Sequence, residues 1–165
     1  MANVYSVQYA AAYNTVPRVR RDPNMSGYKQ VQYWDYTQPA TGNDPDTLFT
    51  VKIPAMSRLL LPECALWTEG CPAGTVYDWG YGAYVEPDGD AVAASADGLM
   101  AGADPGADGL IFGGMNASST PDDQRPVVLT YVFLARQDVD LTIRIKTSAL
   151  QTGDVLRGYW TYLNG

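Results

Sequence analysis

The chain is expected to be all-β: a single β-sandwich or jelly-roll domain of seven to eight short antiparallel strands, preceded by an extended N-terminal arm. Three observations predict this. Runs of alternating, β-branched and aromatic residues recur along the sequence, and clusters of Gly, Pro, Asn and Asp separate them. No amphipathic stretch of about a dozen residues offers the crossover helix that a parallel α/β sheet requires. At 165 residues the chain suits one domain, large enough to withdraw roughly 70% of its unfolded surface from water.

Residues 1–26 read as the arm. Val16-Pro17-Arg18-Val19-Arg20-Arg21-Asp22-Pro23 sets two prolines around three arginines, which favours extended chain over helix. Ala10-Ala11-Ala12 supports one short turn at most. The sandwich follows over 27–165. Its first strand is expected at 28–36, where Tyr28, Val31, Tyr33, Trp34 and Tyr36 are strong β formers. After a loop from Pro39 to Pro45, the second strand at 47–53 places Phe49, Val51 and Ile53 on one face and Thr50 and Lys52 on the other. Arg58 to Leu61 and Ala65 to Trp67 form a strand interrupted at Pro62, which marks an edge or a bulge. The stretch 74–85 alternates, and Gly80 and Gly82 leave a flat strip for a neighbouring backbone or ring.

A long acidic loop is expected over 86–124, on the turn pairs Asp88-Gly89, Asp97-Gly98 and Asp108-Gly109 and the scarcity of large apolar groups. Within it, Ala91 to Ala96 offers one or two helical turns. The unbroken apolar run from Val127 to Leu134 predicts a strand buried on both faces. Leu141 to Lys146 alternates strictly, so one face is core and the other wet. Asp154 to Leu163 supplies the last strand, with Tyr159, Trp160 and Tyr162.

Charge is placed unevenly. The net charge is −7, yet residues 59–124 hold eleven carboxylates and no Lys or Arg, and the chain has no histidine. Phosphate backbones need a positive face, so no nucleic-acid partner is expected. No apolar run reaches the roughly 18 residues of a membrane helix, so no membrane partner is expected either. The start lacks a charged and apolar leader, which implies synthesis in the cytosol. Asn24-Met25-Ser26 and Asn116-Ala117-Ser118 are then chance glycosylation triplets.

The residue inventory removes most chemistry. A Ser or Cys nucleophile lacks a histidine base, and no glycine loop has the setting of a phosphate cradle. Glu63, Glu69 and Glu86 are read as solvated loop acids ahead of a glycosidase pair. Asp88, Asp90 and Asp97, or Asp104 and Asp108, supply oxygens of the kind calcium takes, but not in the register of an EF-hand loop. No catalytic residue, cofactor or metal is therefore expected. Cys64 and Cys71, without histidines, cannot complete a zinc site. They are read as buried free thiols, with a disulfide open if their Cα atoms come within about 7 Å.

The layout resembles a known family. An arm leads to Phe49-Thr50-Val51-Lys52-Ile53-Pro54 and Ser57-Arg58-Leu59-Leu60-Leu61, then to Gly74-Thr75-Val76-Tyr77-Asp78-Trp79-Gly80. An Asp/Ala/Gly-rich loop, the apolar strand at 127–134 and Arg157-Gly158-Tyr159-Trp160-Thr161-Tyr162 complete it. In this it is similar to the β-sandwich cement or decoration proteins of tailed-bacteriophage heads. The resemblance implies a non-enzymatic virion protein, made in the host cytoplasm, that binds the major capsid protein on the outside of the head and stabilises the shell. It also implies self-association, often as a trimer. Arg18, Arg20, Arg21, Tyr28, Tyr33 and Trp34 are the candidate contacts to shell or neighbouring subunits. The competing expectation is a carbohydrate- or receptor-binding module of a phage tail or fibre, with Trp67, Trp79, Tyr81 and Tyr84 stacking on sugar rings.

Overall fold

A computed structural model describes residues 3–5, 29–40, 47–86, 88–113, 132–135 and 137–164. Thirteen strands lie among them, more than expected, because several are only two or three residues long. The first sheet runs β1 (Asn3–Tyr5), β3 (Thr47–Ile53), β12 (Val139–Ile145), β6 (Tyr77–Tyr81), β9 (Ser95–Ala103). The second runs β10 (Leu110–Phe112), β5 (Ala65–Glu69), β13 (Val155–Leu163), β4 (Arg58–Leu60), β11 (Val132–Leu134), with β2 (Lys29–Thr37) also on β13. A small ribbon pairs β7 (Tyr84–Val85) with β8 (Ala91–Val92). The pairings are antiparallel except β1 with β3, which is parallel.

The two large sheets close on one apolar core. Along β12, Val139, Leu141, Ile143 and Ile145 are buried; along β2, buried Trp34 and Tyr36 alternate with outward Tyr33 and Asp35. At the centre Trp79 of the first sheet meets Trp160 of the second edge-on, with ring centroids 5.1 Å apart. The Trp160 Nε1–H donates to Thr50 Oγ1 at 2.8 Å, and that hydroxyl donates to the Leu141 carbonyl at 2.8 Å, so these buried groups are paired across the sheets.

β13 holds the second sheet together. One side pairs with β2 over all nine residues, from Val155 with Thr37 to Leu163 with Lys29. The other side is shared between β5 and β4, which meet at a 3-10 turn, Leu61–Glu63. Pro62 has no N–H to extend a ladder, and it makes the expected interruption. Thr161, opposite the break, donates its N–H to Cys64 Sγ at 3.3 Å and its hydroxyl to the Glu63 carbonyl at 2.7 Å.

The stretch read as one long loop at 86–124 needs correction. Its described residues include β8, β9 and β10, and Ala91 to Ala96 takes part in strands, with no helical turn. β9 forms because Gly80 offers no side chain: a Cβ there would lie 2.0 Å from the Ser95 carbonyl oxygen, so only a bare backbone lets the strands approach. The strip foreseen at Gly80 is thus covered by this chain's own backbone. Of the run 127–134 only the last three residues are described, as β11, which has β4 as its one strand partner among the described residues.

Candidate functional site

Cross-strand register turns the outer face of the second sheet into two rows of side chains. Asp35, Arg157, Trp67 and Leu110 lie side by side on β2, β13, β5 and β10. The next row, two residues along, is Tyr33, Tyr159, Ala65 and Phe112. Tyr33 is 69% exposed, Leu110 55%, Trp67 52%, Val31 42% and Phe112 38%, which puts five of the seven exposed large apolar residues among those described on this one face. Ala65 is the small member of its row. With Trp67 and Tyr159 standing beside it, it floors a groove of about 380 Å³ that Tyr33, Asp35, Leu110 and Arg157 help to line. Tyr33 and Tyr159 tilt against one another at 5.7 Å. Ion pairs edge the face: Arg157 Nη1 to Glu69 Oε2 at 3.2 Å, and Lys29 to Glu63, all about half exposed.

The predicted contact residues divide. Tyr33 is prominent on this face, but Trp34, 2% exposed, points the other way. It packs under Gly158, where a Cβ would come within 2.6 Å of the indole. As a direct contact Trp34 is withdrawn, because the strand's alternation turns it into the core. Arg18, Arg20, Arg21 and Tyr28 lie outside the described residues. Among the stacking candidates Trp67 is exposed, Trp79 is fully buried against Trp160, and Tyr81 and Tyr84 are partly buried, edge-on to each other and packed on the core. Trp79 cannot stack on a ligand. Tyr159 and Leu110 were missed by sequence reasoning; the alternation in Arg157-Gly158-Tyr159-Trp160 marks Tyr159 as outward, but which strands flank it is invisible without register.

Among the carboxylates considered for calcium, Asp88 and Asp104 serve local turns and Asp108 ties its loop to the end of β5. Asp88 accepts from the Asp90 N–H, Asp104 from Gly106 and Asp108 from Gly70, at 3.2, 2.9 and 2.6 Å. Among the described residues no three acidic or cysteine groups gather as a metal site. Cys64 and Cys71 are both free and buried. Burial pushes the Cys64 thiol up to about 12, so it is inert as a nucleophile.

On the opposite sheet Asp78 is fully buried beneath cations. Arg144 reaches its Oδ2 with Nη2 at 2.5 Å and Nε at 3.1 Å, Lys146 stands 3.4 Å away, and the Gly102 N–H donates to Oδ1 at 2.9 Å. Burial raises this carboxyl, but the Arg144 and Gly102 hydrogen bonds and the two positive charges outweigh it, and the net is a value below the ordinary 3.8. A depressed folded value means stability that is present above the unfolded value of about 3.9 and lost as pH falls through the folded one. Asp78→Asn should cost about 1–2 kcal/mol at pH 7, discounted because Arg144 and Lys146 keep water contact. It should also flatten the fall in urea midpoint below pH 4; an unchanged acid profile would show that Asp78 contributes nothing.

No protein-family model matches the chain, and no curated protein matches it. Among solved structures, a chain from the capsid of Ralstonia phage GP4 superposes with a TM-score of 0.63 at 17% identity, over 99% of this chain and 99% of that one. What they share is a fold. A chain of the cyanophage Pam1 capsid asymmetric unit gives a TM-score of 0.52 at 13% identity, over 93% of this chain and 99% of that one. Both likenesses run nearly end to end, so the sandwich is matched as a whole unit with no large segment left over on either side.

Proposed function

We propose that this chain is a non-enzymatic virion structural protein that binds the outer surface of a phage capsid and stabilises the shell. The observation that carries this reading is the whole-length match of its fold to a chain of the Ralstonia phage GP4 capsid. The partners are the major capsid protein and further copies of the chain itself, as a homo-oligomer with a trimer favoured. The protein is made in the host cytoplasm and resides on the head surface. In this reading the segment 1–26 docks through Arg18, Arg20 and Arg21 onto acidic sites of neighbouring subunits, while the carboxylate-rich turns between β7 and β10 face solvent. Charge placement supports it, because cations are absent from 59–124 and present in the flanks.

Electron microscopy of purified protein mixed with expanded empty phage heads that lack it should show ordered extra density on the outside. Deleting residues 2–23 should abolish that density. Heads that stay bare with the full chain refute the reading, and undiminished binding by the truncated chain refutes the docking role of the arm. The second reading, a carbohydrate- or receptor-binding module, is favoured by the half-exposed Trp67 beside the groove; an array of glycans without a single hit would remove it.

A further inference from the structure

We infer that the outer face of the second sheet, centred on Trp67 and Tyr33, is where one copy of this chain contacts another. The inference rests on the reading of the chain as an oligomer on a shell, and names the surface that reading leaves open. Size is the first argument. Five side chains exposed by 38–69%, each covering roughly 150–250 Å² when buried, leave about 400–600 Å² of largely apolar surface, at the upper end of what a monomer presents to water. With the charged rim the face approaches the roughly 800 Å² per partner of a stable interface.

Composition is the second argument. Tyr, Trp, Phe and Leu in the middle with Arg and carboxylates around them is the anatomy of a protein interface. A sugar site would surround its aromatic platform with several amide and charged groups, whereas here Asp35 and Arg157, the latter engaged with Glu69, are the charged side chains of the lining. Charge is the third argument, and it selects a second copy. The whole chain carries −7, so copies repel in general. On this face Lys29 and Arg157 stand against Asp35, Glu63 and Glu69, two cations to three carboxylates and a net of −1, so copies that meet here repel little. Trp67 and Tyr33 stand proud next to the recess over Ala65, so a protruding ring and a groove that could receive one lie on the same face.

Sedimentation equilibrium of the isolated full chain at 10–100 µM (on the order of the Kd range of such contacts) tests this apart from any shell. The wild type should be a dimer or trimer, and Trp67→Ser with Tyr33→Ser should shift it to monomer by at least tenfold in dissociation constant. Leu110→Lys should act in the same direction. Val85→Ser, at an exposed apolar position in the β7–β8 ribbon, should leave the mass unchanged. Far-ultraviolet circular dichroism should be retained in all variants, since the replaced side chains lie outside the core. A monomeric wild type, an oligomer indifferent to all three replacements, or a monomer that binds glycans through Trp67 overturns the inference. Bare heads in the microscopy above, with the mass shift seen here, would instead sink the shell reading alone.

Discussion

Trp160→Ala is expected to lower the stability of the domain by about 3–5 kcal/mol, a large part of the roughly 5–15 kcal/mol that keeps a domain folded. Three losses add. The indole is 1% exposed, so its removal leaves a cavity at the junction of the sheets. Its edge contact with Trp79 at 5.1 Å disappears, and such ring pairs contribute about 0.5–1.5 kcal/mol beyond burial. Thr50 Oγ1, fully buried, loses the N–H it accepts from at 2.8 Å and keeps only its other bonds, such as that to the Leu141 carbonyl. Trp160→Phe should cost distinctly less, because it keeps a ring against Trp79 and gives up the Nε1–H. Urea titration reads both: midpoints should fall in the order wild type, Phe, Ala, with the slope unchanged. Equal midpoints for Phe and Ala would mean that the hydrogen bond, and not the ring, carries the effect.

Gly80→Ala is the second large expected effect, near or above the upper end of the about 1–3 kcal/mol typical of overpacking. The added carbon would meet the Ser95 carbonyl oxygen at 2.0 Å and the Ala96 carbonyl at 2.5 Å. These are backbone atoms, which cannot rotate away as a side chain would, so β9 must lift from β6. Amide exchange locates the damage: protection in Ser95–Ala103 should fall while that of Val155–Leu163 in the other sheet is retained. Gly74→Ala is the control. Its φ of +78 makes alanine strained by about 1–2 kcal/mol, yet nothing lies within 4 Å. Should the two replacements cost the same, close approach at Gly80 is not what admits β9.

The strands that alternate strongly were legible from sequence. β12 and β13 carry their own evidence, since Leu141 and Ile143, or Leu156 and Trp160, recur at the spacing that one buried face demands; in β3 the expected face of Phe49, Val51 and Ile53 holds only at Val51 and Ile53, because a bulge brings Leu48 opposite Ile143 and leaves Phe49 half-buried. β9 was not legible. Ser95-Ala96-Asp97-Gly98-Leu99-Met100-Ala101-Gly102-Ala103 is poor in β formers, and its conformation is imposed by the strip at Gly80 on a strand fifteen residues earlier. The candidate surface was legible in pieces. Tyr33 and Trp67 each stood out as aromatic, but they were assigned to different roles because β13, which brings them to one face, lies about ninety residues beyond Trp67. Trp34 and Trp79 were misread for a related reason: a large aromatic in a strand goes to core or solvent by parity alone, and parity is fixed only when the face is known.

The central place of β13 has a consequence in time. It is translated after each of its partners β2, β4 and β5, so the second sheet cannot close until residues 155–163 have been made. At about 5–20 residues per second a ribosome needs on the order of 5–25 s between completing Thr37 and supplying Val155, to which it pairs. Trp34, Tyr36, Leu59 and Leu66 wait uncovered during that interval. The rows joining Asp35 to Trp67 and Tyr33 to Ala65 exist only once Arg157 and Tyr159 lie between them. A nascent or truncated chain that stops short of β13 therefore lacks the assembled surface.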